Sequence, residues 1–101
     1  MNIKRKKEGN KLNVTISGRI DTVTAPELEA GVKPNLDGIT KLVLDFKDVN
    51  YVSSAGLRVL LSLQKVMMNQ GEMRLINVSE VVTDVFEVTG FDEILTYNKG
   101  E

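Results

Sequence analysis

Ser53-Ser54-Ala55-Gly56 is the stretch of this chain best suited to chemistry. Two adjacent hydroxyls stand directly before an apolar-periodic run, where a helix offers unpaired backbone N–H groups and the positive end of its dipole. A serine can act there in two ways. As an N-cap, its oxygen accepts from an N–H of the first turn. As a phosphoryl acceptor it gains about −1.5 to −2 charge near pH 7, which a helix N-terminus tolerates better than most places. The two roles are compatible, since a capping serine already lies at the lip of an anion site.

Catalysis finds little support. The chain has no cysteine and no histidine, which removes thiol chemistry, disulfides and most zinc- or imidazole-dependent mechanisms. A serine nucleophile would then need a lysine or a carboxylate as base, and Ser54-Ala55-Gly56-Leu57-Arg58 has no lysine at helical spacing. The glycine-poor approach to Ser54 matches no phosphate-binding loop. Asp45 and Asp48 are a conceivable magnesium pair, but ending a strand and closing a loop are the simpler roles. The chain therefore reads as non-enzymatic, with no cofactor and no metal site.

The elements that must position the serines follow from periodicity. Leu42-Val43-Leu44, ending in Asp45-Phe46, has the length and character of a buried strand. Residues 47–52 read as a polar loop. After Ser53 and Ser54, apolar residues recur at Leu57, Leu60, Leu61, Met67 and Met68, which predicts an amphipathic helix that Gly71 stops in a left-handed turn. Residues 41–71 thus form one strand-loop-helix unit, and α/β folds place function at such a junction.

The rest of the chain supplies the frame. Leu12, Val14 and Ile16 alternate with polar residues, so residues 1–7 and 12–17 are expected to form a hairpin turning at Glu8-Gly9-Asn10-Lys11. Lys4-Arg5-Lys6-Lys7 suits a solvated edge strand. Residues 18–23 turn the chain, with Asp21 bonding turn backbone. Thr24-Ala25-Pro26-Glu27 has the spacing of a capping box opening a short helix that faces the sheet with Leu28 and Val32 and is cut off by Pro34. Leu36 and Ile39 pin the connector. Residues 72–78 predict a strand. Ser79 should cap a third helix striped by Val81, Val82, Val85, Phe86 and Val88, which Gly90 ends. Residues 94–97 suit a last short strand. The order ββαβαβα(β) gives an α/β (α+β-like) fold. Its mixed four- to five-stranded sheet carries an N-terminal hairpin and three to four helices packed mainly on one face.

Bulk properties fit one small domain over residues 1–101. The net charge of −1 gives no global steering toward nucleic acid or membrane. No apolar run nears the ~20 residues needed to span a bilayer, and the first residues lack a signal-peptide core. A cytoplasmic protein without a transmembrane segment is the expectation.

The stretch Leu44-Asp45-Phe46-Lys47-Asp48-Val49-Asn50-Tyr51-Val52-Ser53-Ser54-Ala55-Gly56-Leu57 resembles the signature of the STAS domain family, the bacterial anti-sigma factor antagonists. Gly18-Arg19-Ile20-Asp21, followed by a Thr-Ala-x-Glu-Leu helix start, resembles that family's Gly-x-(Leu/Ile)-Asp turn. Val88-Thr89-Gly90-Phe91-Asp92 resembles its ending of the last full helix. Together these motifs span residues 10–97. The resemblance implies a protein-binding module whose regulatory serine, two residues before the glycine, is Ser54, with Ser53 the second candidate. It implies a partner that is both anti-sigma factor and serine kinase, bound when Ser54 is unmodified and released on phosphorylation, and a phosphatase that resets the cycle. Sigma-factor-dependent transcription is then the output. Asp21, Ser53, Ser54, Gly56 and Arg58 are the expected docking residues: Ser53 caps or modulates kinase access, Gly56 admits partner backbone, and Arg58 pairs on the first exposed turn. Ser53 stands where most phosphorylated members carry an aspartate, which removes a charge and adds a hydroxyl. STAS-like domains also serve as scaffolds of stress-sensing assemblies or as accessories of membrane transporters, and those roles need no serine switch.

Overall fold

A computed structural model describes residues 1–100. Strand β1 (Asn2–Glu8) turns through Gly9 and Asn10 into β2 (Lys11–Ile20), and the two pair antiparallel from Asn2↔Ser17 to Glu8↔Lys11. Gly9 takes a φ of 62°, as a tight hairpin demands. Helix α1 (Ala25–Val32) and a 3-10 turn (Lys33–Asn35) lead to β3 (Lys41–Val52). Then come α2 (Ser54–Met68), β4 (Glu72–Val78), α3 (Glu80–Thr89), a second 3-10 turn (Phe91–Glu93) and β5 (Tyr97–Lys99).

The sheet order is β1-β2-β3-β4-β5, with every pair after the hairpin parallel. Since the parallel strands succeed one another without reversal, right-handed crossovers set all three helices on one face. Burial agrees. Leu12, Val14, Ile16, Leu42, Leu44, Phe46, Met73 and Leu75 are buried beneath the helices, while Asn13, Thr15, Asp45, Arg74 and Ile76 on the opposite face keep contact with solvent. Leu28, Val32, Leu60, Leu63, Met67, Val82 and Phe86 close one contiguous core from the helix side. The pinning residues Leu36 and Ile39 belong to it too.

Several local expectations are corrected. Residues 47–52 are no loop: β3 runs on to Val52 because β2 runs on to Ile20, and the two stay paired through Arg19↔Tyr51 and Ile20↔Val52 with two register shifts. Asp45 and Asp48 consequently sit inside a strand. Asp45 Oδ1 accepts from Lys47 N at 3.0 Å and from Asn77 Nδ2 at 3.1 Å. The capping box at residues 24–27 does not form, and Thr24 makes no cap bond to its helix. Met68, Val81 and Val88 point to solvent, so α3 buries only a narrow stripe around Val82 and Phe86. Gly71 does not take the left-handed conformation, unlike Gly90, whose φ of 80° ends α3 as expected. A β-carbon at Gly71 would instead strike the Thr40 carbonyl, so its role is close approach between α2's exit and the start of β3.

Candidate functional site

Ser53 and Ser54 divide the two roles between them. Ser53 is the N-cap of α2, extended at φ −85°, ψ 173°, with its Oγ accepting from Gly56 N at 3.2 Å. Ser54 is the first residue of the helix and is exposed. Its hydroxyl takes no part in the cap. The hydroxyl committed to structure and the one open to a partner are therefore neighbours. Replacing Ser53 with alanine is expected to cost about 1 kcal/mol of stability through the lost cap, whereas Ser54→Ala should change it by less than about 0.5 kcal/mol. Urea titration of the two variants checks this, and a reversed order would contradict the division.

Strand pairing brings the rest of the site to the same end of the sheet. Ser53 N donates to Ile20 O at 2.8 Å, which staples the start of α2 to the turn after β2. That turn is built by Asp21. Its Oδ1 accepts from Thr24 N at 2.9 Å and Val23 N at 3.0 Å, while Thr24 Oγ1 donates to Arg19 O and accepts from Asp21 N. Asp21 has displaced Glu27 as the group that satisfies the entry to α1, an Asx-type turn in place of a capping box.

The Thr24 backbone N–H, with help from the Val23 N–H and the Arg19 charge, holds the Asp21 carboxyl below its ordinary range. A lowered folded-state pKa means that its stabilisation is complete above the unfolded value of about 4 and fades as pH falls through the folded one. Asn at this position keeps an acceptor and loses the titration. The melting temperature of the natural chain should exceed that of Asp21→Asn at pH 7, and the gap should narrow toward pH 3. A gap independent of pH would contradict the assignment.

Arg19, Val23 and Tyr51 complete the surface, and residue-level reading did not single them out. The Arg19 guanidinium lies 4.1 Å from the Tyr51 ring centroid, with its Nε 4.0 Å from Asp21 Oδ2. Val23 is 76% exposed on the Asp21 turn, an apolar side chain with nothing of its own chain to cover it. The pairing Arg19↔Tyr51 depends on the β2–β3 register, which local sequence does not reveal; an apolar residue at the tip of a polar turn was a visible signal for Val23.

Gly56 departs from its expected role. It is buried, and a β-carbon there would lie 2.7 Å from Ile20 Cγ2 and 2.9 Å from Val52 Cγ1. Its small size serves packing of α2 on this chain's own β2 and β3 rather than contact with a partner's backbone. Arg58 is exposed one turn beyond Ser54. Asp21, Ser54 and Arg58 thus stay within reach of another protein, with Ser53 half-buried between them. Among the described residues no three acidic side chains gather as a cation site, and no helix is long and apolar enough to cross a membrane.

Known proteins share this fold. The chain is 33% identical over 96 residues to the anti-sigma-B factor antagonist of Bacillus subtilis, covering 94% of this chain and 88% of that one. An anti-sigma factor antagonist from Mycobacterium paratuberculosis superposes with a TM-score of 0.85 at 24% identity, over 95% of this chain and 83% of that one. The Bacillus cell fate determinant SpoIIAA in its phosphorylated form superposes with a TM-score of 0.73 at 15% identity, over 97% and 92%. The STAS domain model matches residues 2–100. With the match spanning every strand and helix that carries the serine junction, this chain belongs to the STAS domain family.

Proposed function

We propose that this domain is an anti-sigma factor antagonist controlled at Ser54. Unmodified, it docks through the end of the sheet bearing Asp21, Ser53, Ser54 and Arg58 onto an anti-sigma factor that is also a serine kinase, and the sigma factor is freed for transcription in the cytoplasm. The partner then transfers the γ-phosphoryl group of ATP. The Ser54 Oγ–P bond forms, the bond from phosphorus to the β–γ bridging oxygen breaks, ADP leaves and the hydroxyl proton passes to a base. The complex dissociates, and a phosphatase restores the hydroxyl. The chain itself catalyses nothing in this cycle; it is the substrate and the ligand.

The observation that carries this reading is the free, exposed Ser54 hydroxyl on the first turn of α2, beside a Ser53 hydroxyl already committed to the cap. No acidic residue occupies that first turn, so added negative charge meets the helix dipole without a local repulsion. The kinship with an anti-sigma-B factor antagonist supplies the partner class. The test is incubation with Mg·ATP and the serine-kinase anti-sigma factor of the same organism, followed by intact-mass measurement. One added phosphoryl group on the natural chain and on Ser53→Ala, and none on Ser54→Ala, is the expected result. Addition that persists in Ser54→Ala would overturn the assignment.

A further inference from the structure

We infer that Arg58 is the counterion of a phosphate on Ser54, so that modification disarms the docking surface by capturing that surface's own arginine. The inference rests on Ser54 as phosphoacceptor. Helix α2 carries no acidic side chain along its length. On its exposed side, Arg58, Leu61, Ser62, Lys65 and Val66 line a shallow groove with Lys33 from the turn after α1, where Lys33 Nζ donates to Ser62 Oγ at 3.0 Å. The ion pairs among the described residues are Lys6–Glu8, Arg19–Asp21 and Lys41–Glu72, so the groove's three cations have no carboxylate partner there.

Two arginines, Arg19 and Arg58, lie at this end of the sheet, and only one is uncommitted. Arg19 is held between the Tyr51 ring and Asp21. Arg58 lies four residues after Ser54, so the two are neighbours on one helix face with β-carbons about 5–6 Å apart. Helical side chains lean toward the N-terminus, so from the groove it lines a guanidinium at position 58 can swing back to the first turn. Its planar fork matches two phosphate oxygens, a geometry that lysine cannot offer. Before modification Arg58 is available to a carboxylate of the partner. After it, the arginine is held by its own chain, and the Ser54–Arg58 pair passes from one positive charge to a net negative one.

The test needs no partner, so its outcome is separable from whether the kinase acts. Phosphoserine is installed at position 54 of the full chain during translation, and the second ionisation of the phosphate is followed by phosphorus NMR against pH. Free phosphoserine titrates near pH 6. In the natural background the value should fall below this, and Arg58→Gln should raise it by about a third of a unit, the scale of one helical charge pair. Lys65→Gln, three turns along, should leave the curve in place. Coincident curves for the natural chain and Arg58→Gln would overturn the inference, as would an equal shift from Lys65→Gln, which would reduce the effect to a general field.

Discussion

Gly71→Ala is expected to destabilise this domain by at least about 3 kcal/mol. An ideal β-carbon at residue 71 would run into Thr40 O and sit 2.5 Å from Thr40 C. Both are backbone atoms, so no side-chain rotation relieves the clash. Thr40 cannot yield freely either, since its N donates to Asn10 O at 2.9 Å and its O accepts from Glu72 N at 2.9 Å. Three connections cross at this point: the hairpin turn, the entry to β3 and the exit from α2. Small domains hold only about 5–15 kcal/mol in total, so the loss should lower the melting temperature on the order of 15 °C. Thermal and urea unfolding of the variant measure it. A change under 1 kcal/mol would mean that the backbone around Thr40 and Gly71 moves apart at little cost.

Phosphorylation of Ser54 is expected to weaken partner binding about a hundredfold while leaving the fold intact. A phosphate pressed into an interface must shed water, and any nearby carboxylate of the partner repels it. A penalty of about 3 kcal/mol from these effects corresponds to roughly two decades in affinity. Nothing in the domain opposes the modification itself. Ser54 is exposed, its hydroxyl caps nothing, and the cap beneath it belongs to Ser53. The proposed switch is thus expected to act locally through charge, and unfolding curves of the two forms should nearly coincide.

Elements governed by local chemistry were legible in the residues. The alternation of Leu12, Val14 and Ile16, the Ser79 cap accepting from Val82 N and the left-handed Gly90 all depend on neighbours close in sequence. The helix start at Ser53 and Ser54 was legible for the same reason, because a helix start is a local event. What escaped depends on distant parts of the chain. Lys47, Asp48 and Asn50 look like loop residues, yet they are carried into β3 by pairing with the far end of β2. Gly71 stands where a helix-ending glycine belongs, but the reason for it is Thr40, on another element. Thr24 and Glu27 have capping-box spacing, but Asp21 takes the Thr24 N–H that the Glu27 side chain would have reached. Val81 and Val88 keep helical period without burial, for α3 packs near the edge formed by the three-residue β5 and finds no partner on its outer side. At the site, Tyr51 and Arg19 meet only through strand register, so their contact could not be read from spacing.

The most direct measurement of the central claim is a calorimetric titration of the serine-kinase anti-sigma factor with two forms of this domain, one unmodified and one carrying phosphoserine at position 54, without added ATP. Tight binding of the first and about hundredfold weaker binding of the second are expected. Equal affinities for both forms would contradict it.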